Sequence, residues 1–183
     1  MNKSLFFLAF AAALGTAPAH AAAPDSKTVF FDQLKALCGA TFEGKSVFSA
    51  SANDDFAGEK LVANFSGCGA SEMRVPFIVG ADTSRTWIFT RSADALTLQH
   101  DHRHADGTPD EQTMYGGAAR AGGTALAQSF AADSYTARLI PAAATNVWTV
   151  SLSQDGTMLT YFLERDGKPR FKAMLQRVAA PAR

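Results

Sequence analysis

Two Asp-Gly pairs near the C terminus, Asp155-Gly156 and Asp166-Gly167, constrain the fold more than any other feature of the chain. Each lies between runs that alternate apolar and polar side chains: Asn146 to Ser153, Thr157 to Arg165 and Pro169 to Val178. A tight turn with positive φ matches the twist of the strands it joins, and Asp-Gly adopts that conformation readily. The segment therefore reads as a three-stranded antiparallel meander. A period of two puts Trp148, Val150 and Leu152 on one face, and Thr149, Ser151 and Ser153 on the other.

The same strand-like reading continues toward the N terminus. Thr41 to Ser49, Lys60 to Ser66, Met73 to Val79, Arg85 to Arg91 and Leu96 to His104 are β-prone runs separated by turn residues. Gln112 to Arg120 and Thr124 to Phe130 read as weaker strands rich in Gly and Ala, and Tyr135 to Ile140 as another. Only Ser26 to Leu37 has helical spacing, with Val29, Phe30, Leu34 and Leu37 on one side and Gly39 after its end. Strands joined by short turns must close into a barrel or stack as a sandwich. Consecutive hairpins favour closure, which removes exposed edges. The expected fold is all-β: an antiparallel up-and-down barrel of about 8–10 strands with a short N-terminal helix. Residues 22–183 then form one domain, the right size for a single core. Gly116-Gly117 and Gly122-Gly123 are expected at bulges or tight bends rather than in phosphate loops, because no helix with Lys-Ser/Thr follows them.

Residues 1–21 carry the three parts of a secretory signal peptide: Lys3, the apolar run Leu5 to Leu14, and the small-x-small site Ala19-His20-Ala21. The run is shorter than the roughly 20 residues a spanning helix needs. Cleavage after Ala21 is expected, giving a periplasmic or secreted protein with no membrane insertion of its mature part. Losing Lys3 takes the basic side chains from 17 to 16, against 17 acidic ones. That balance leaves no electrostatic footprint for nucleic acid. Cys38 and Cys68 are the only cysteines, and an oxidising compartment lets them pair. With no Cys-x-x-Cys, a structural disulfide is the expectation.

The segment His100-Asp-His-Arg-His104, with Asp106-Gly107 and Thr113-Met-Tyr-Gly-Gly117, resembles a pattern in uncharacterised secreted bacterial proteins. Ser84-Arg-Thr-Trp87 and Thr145-Asn-Val-Trp148 fit the same group, so the resemblance spans most of the mature chain. It implies export and brings no activity with it. In architecture the chain is also similar to calycin-type barrels, such as lipocalins and fatty-acid-binding proteins, although the lipocalin Gly-x-Trp is absent.

All three histidines of the mature chain lie in one run. Leu96, Leu98, His100, His102 and His104 share a strand face, opposite Thr97, Gln99, Asp101 and Arg103. If the leucines face the core, the histidines continue inward toward the rim. A His-x-His pair on a strand can supply two ligands of a divalent metal such as Zn or Cu. Residues two apart are separated by about 6.6 Å and residues four apart by about 13 Å, so one ion takes two of His100, His102 and His104 more readily than all three. The competing reading makes these imidazoles hydrogen-bonding groups in a polar barrel mouth. Asp101 and Arg103 are expected outside, pairing across strands.

Arg85, Trp87, Phe89 and Arg91 share a face of the preceding strand. Beside the histidines they would bring a cation and an aromatic into one cavity, which suits an anionic or aromatic small molecule. The functional expectation is a periplasmic barrel for a small ligand, contacted by His100, His102, Arg91, Trp87 and Tyr115. Two alternatives stand beside it: a metal-binding protein or metal-dependent enzyme using His100 and His102, and an envelope interaction or inhibitor module acting through surface loops. The chain has neither a Gly-x-Ser-x-Gly elbow nor a His-Glu-x-x-His motif.

Overall fold

The computed structural model describes residues 25–51, 54 and 56–179. The expected signal peptide, residues 1–21, lies outside the described residues. Helix α1 (Ser26–Ala36) leads into eleven strands: β1 (Thr41–Ser49), β2 (Leu61–Asn64), β3 (Gly67–Cys68), β4 (Glu72–Val79), β5 (Asp82–Arg91), β6 (Leu96–His102), β7 (Tyr115–Ala118), β8 (Ala127–Ala131), β9 (Val147–Leu152), β10 (Met158–Arg165) and β11 (Lys168–Arg177). A short helix α2 (Ser134–Leu139) and a 3-10 turn (Pro141–Ala143) lie between β8 and β9.

Strand order is β7-β6-β5-β4-β2-β1-β11-β10-β9-β8, every neighbour antiparallel, with β3 paired to β4 beside this path. This is the expected up-and-down barrel. The first and last strands meet in a long ladder that runs from Phe42 opposite Arg177 to Ser49 opposite Phe171. Gly44 permits that approach, since a Cβ there would lie 2.0 Å from the Met174 carbonyl oxygen. Closure on the far side is sparser. Between β7 and β8 a single bridge joins Ala119 to Phe130, flanked by the Arg120 N–H on the Ser129 carbonyl and the Asp133 N–H on the Gly116 carbonyl, both at 2.8 Å.

The paired glycines belong to this seam. A Cβ on Gly117 would sit 1.9 Å from the Ala131 carbonyl oxygen, and one on Gly116 would sit 2.0 Å from that of Leu98. Gly122 has φ +86° in the turn before β8, and a Cβ on Gly123 would strike the buried amide of Gln128.

Period-two alternation fills the interior as the sequence demands. Met73, Val75 and Phe77 from β4, Trp87 and Phe89 from β5, Leu96 and Leu98 from β6, and Trp148 and Val150 from β9 are all buried in one cluster. Helix α1 plugs one end of the barrel, burying Phe30, Phe31 and Leu34 completely against this core. The expected disulfide is present: Cys38, just past α1, is bonded to Cys68 of β3. No helix among the described residues is long and apolar enough to cross a membrane.

The other end of the barrel is rimmed by the longer connections after β1, β6 and β8. One expectation fails there. Tyr135 to Ile140 is not a strand but lies mostly in α2. Asp133 stands at the N-cap, and its carboxylate accepts the Thr136 N–H at 2.7 Å. That local bond offers the backbone a helical turn more cheaply than a ladder partner could be found. Thr136 then locks the turn to the seam. Its buried hydroxyl accepts from the Gly116 N–H at 2.7 Å and donates to the Gly116 carbonyl at 2.9 Å.

Candidate functional site

Strand β6 does carry its histidines inward at the open end. Cross-strand register sets Trp87 opposite His100, Arg85 opposite His102, and His100 opposite Tyr115. His100 is 4% exposed, and both its ring nitrogens are engaged. Nδ1 lies 3.1 Å from the Tyr115 carbonyl, which can only accept, so Nδ1 carries the hydrogen. Nε2 is then the bare nitrogen and accepts from the Tyr161 hydroxyl at 2.8 Å. Burial, reinforced by the neighbouring His102 and opposed by the Tyr115 carbonyl, lowers the His100 pKa to about 3. The imidazole is therefore neutral and held in one tautomer. Burial likewise raises Tyr161 well above the ordinary phenol value and Tyr115 to about 12.

Aromatic rings surround this pair, some stacked and others tilted. The His100 ring stacks on Tyr115 with centroids 4.8 Å apart, and Trp148 lies 5.0 Å from His100 on another side. Trp87 stacks on Phe77 at 4.2 Å and lies 4.6 Å from Tyr161. His102, half-buried, meets the Tyr115 hydroxyl through Nε2 at 3.0 Å. Its pKa is lowered, first by burial and then by the Arg85 guanidinium. Arg85 lies over the Phe56 ring at 5.3 Å and is ion-paired with Asp82. Burial alone would raise Asp82, but the Ser84 N–H and hydroxyl, together with Arg85, hold it below the usual carboxylate range.

The connection from β6 to β7 sets where Tyr115 stands. The His102 N–H donates to the Thr113 hydroxyl at 2.7 Å, and that hydroxyl donates to Asp101 at 3.0 Å. Arg103 Nε reaches both Asp101 oxygens, at 3.0 and 3.1 Å. Asp101 is thus on the outer face as expected and pairs across strands with Arg74 of β4 at 3.9 Å, but it is buried rather than solvated. Met114, immediately before Tyr115, has φ +58°. A non-glycine residue in that region costs on the order of 1 kcal/mol and persists because its surroundings dictate it.

The structure brings together His100, His102, Trp87 and Tyr115, but not Arg91 or His104. Arg91 is at the far end of β5, over the Phe31 ring at 5.1 Å and 3.6 Å from Asp32 of α1. The seven residues from Arg85 to Arg91 run along the barrel wall, so one face does not mean one site. His104 has left the strand and is exposed. Both nitrogens of His100 are engaged by protein groups, Nδ1 by the Tyr115 carbonyl and Nε2 by the Tyr161 hydroxyl. Among the described residues no group of three or more His, Cys, Asp or Glu side chains is placed to hold a metal.

Above Tyr115 and Tyr161 lies an open cavity of about 380 Å³. Its apolar wall is Phe56, Trp148, Leu163 and Phe171 with the two tyrosines, and its polar rim includes Asn146, Arg165 and Arg170. A smaller space of about 30 Å³ lies beneath the same tyrosines, bounded by His100, Trp87 and Arg85. Tyr161, Arg165 and Arg170 were not among the expected ligand contacts. Tyr161 had a usable signal, since it shares a strand face with Leu159 and Leu163. The arginines had none, because a cation just before or after an Asp-Gly turn reads as solvated.

The bare imidazole nitrogen of His100 is already occupied by a tyrosine proton. Compared with protein-family models, curated proteins and solved structures, the chain shows no match.

Proposed function

We propose that this protein is an exported small-molecule-binding barrel whose ligand sits in the mouth cavity above Tyr115 and Tyr161. The carrying observation is the cavity itself. Its 380 Å³ falls in the lower part of the range for small-molecule sites, with an aromatic wall and a few polar groups at the rim. Support for export comes from the signal-like N terminus and from the Cys38–Cys68 disulfide, which persists in oxidising compartments. A calycin-like mode of binding, through the open end of an up-and-down barrel, belongs to the same reading.

His100 and Trp87 then act as a floor that keeps Tyr161 and Tyr115 in place, while Trp148 and Phe171 contact the ligand. A panel of small amphipathic molecules tests this by thermal shift and by Trp148 fluorescence. A ligand at 100 times its Kd stabilises by about 2.7 kcal/mol, which raises the melting temperature by about 5–10 °C for a domain of this size. Leu163→Trp, which fills the cavity from its wall, should abolish the shift while leaving the fold intact. Binding unaffected by that substitution would place the ligand elsewhere and remove the proposal.

A further inference from the structure

From the charge imbalance of the cavity rim we infer that the ligand is a monoanion: an apolar body carrying one carboxylate or sulfonate, held by Arg170 and Arg165. The inference rests on the binding reading above and narrows it to one ligand class.

Four of the described arginines stand beside acids, while Arg120, Arg138 and Arg177, away from the cavity, have no ion-pair partner among the described residues. Arg74 meets Glu72, Arg85 meets Asp82, Arg91 meets Asp32 and Arg103 meets Asp101. What sets Arg165 and Arg170 apart is that both line one cavity. Arg165 gives its Nε to the Asn146 side-chain oxygen at 2.8 Å, which orients the guanidinium, and its terminal nitrogens have no partner among the described residues. Arg170 is exposed at the rim and has no side-chain partner among them. Asp54 is the one carboxylate in the described lining, and it is already engaged. It accepts the Ser49 hydroxyl at 2.5 Å and the Phe56 N–H at 3.0 Å. Among the described residues, two cations with unused donors therefore face a cavity lined by one carboxylate, and neither is ion-paired with it.

The wall below them is apolar, so the complementary molecule is amphipathic. Its head accepts from planar guanidinium groups, which suit the two oxygens of a carboxylate or sulfonate. Its body lies against Trp148, Tyr161 and Phe171. A highly charged ligand would leave most of that wall without a partner. A neutral ligand would leave both arginines without one.

Two fluorescent probes with nearly the same ring body separate these cases. 8-Anilino-1-naphthalenesulfonate carries one negative charge, and N-phenyl-1-naphthylamine lacks it. The mature protein should bind the anion about tenfold more tightly than the neutral probe. Arg170→Gln should reduce that preference severalfold while leaving affinity for the neutral probe unchanged, which also reports that the cavity is still folded. Competition by 2-naphthoate and by dodecanoate then tells whether a flat ring or an acyl chain fills the wall. Equal binding of both probes, insensitive to Arg170→Gln, would overturn the anion preference and leave the binding barrel standing. Binding of neither probe would overturn both.

Discussion

Acid should loosen the barrel through His100 before most of its surface carboxylates are protonated. In the folded protein this imidazole is held neutral, with its pKa lowered to about 3, against 6.5 for the ordinary group. Above pH 6.5 both the folded and the unfolded chain have it neutral, so its contribution to stability is complete. As the pH falls through 6.5 the unfolded chain takes up a proton that the folded chain refuses, and stability declines until the folded pKa is reached. Each unit of that interval is worth about 1.4 kcal/mol, so the span from pH 6.5 to 4.5 should remove about 3 kcal/mol through this one residue. Urea unfolding at half-unit steps over that range measures it. The control is His100→Gln, which keeps a donor and an acceptor but does not titrate. The difference in unfolding free energy between wild type and variant should fall by about 1.4 kcal/mol per pH unit as acid is added. A difference that stays flat from pH 6.5 to 4.5 would refute the picture of a buried neutral imidazole.

Two further outcomes concern the frame. The Cys38–Cys68 bond closes a loop with a sequence separation of 30, and removing it with a Cys38→Ser/Cys68→Ser pair should cost about 3 kcal/mol in a denaturant titration. Gly117→Ala would force a Cβ against the Ala131 carbonyl oxygen at the β7–β8 seam. It should destabilise by roughly 1–3 kcal/mol and raise amide exchange at Arg120 and Asp133, more than at residues of the β1–β11 ladder.

Much of the frame was legible because strands announce themselves locally. The Asp-Gly turns fixed the C-terminal meander, and the alternation through Met73, Val75 and Phe77 placed the core face of β4. The α2 segment was not legible, because its six residues alternate briefly and only the Asp133 cap decides between strand and helix. The site was readable on one strand and not across strands. Period two put His100 inward, but its decisive partner, Tyr161, is 61 residues away and is brought there by register around the barrel. Arg91 shows the converse. Sharing a face with Arg85 says nothing about depth, and the two guanidiniums lie at opposite ends of β5.

A tube with two openings lets its contents pass through, whereas a tube with a stopper does not. Phe30, Phe31 and Leu34 of α1 make this barrel the second kind, and the Cys38–Cys68 bond ties the stopper to the wall. A molecule that enters at the mouth must leave by the same door. Arrival and departure of the proposed ligand would then share one opening, rimmed by the connections after β1, β6 and β8. Changes to those connections should alter the on-rate and off-rate together, so that residence time can drift widely while equilibrium affinity stays nearly constant.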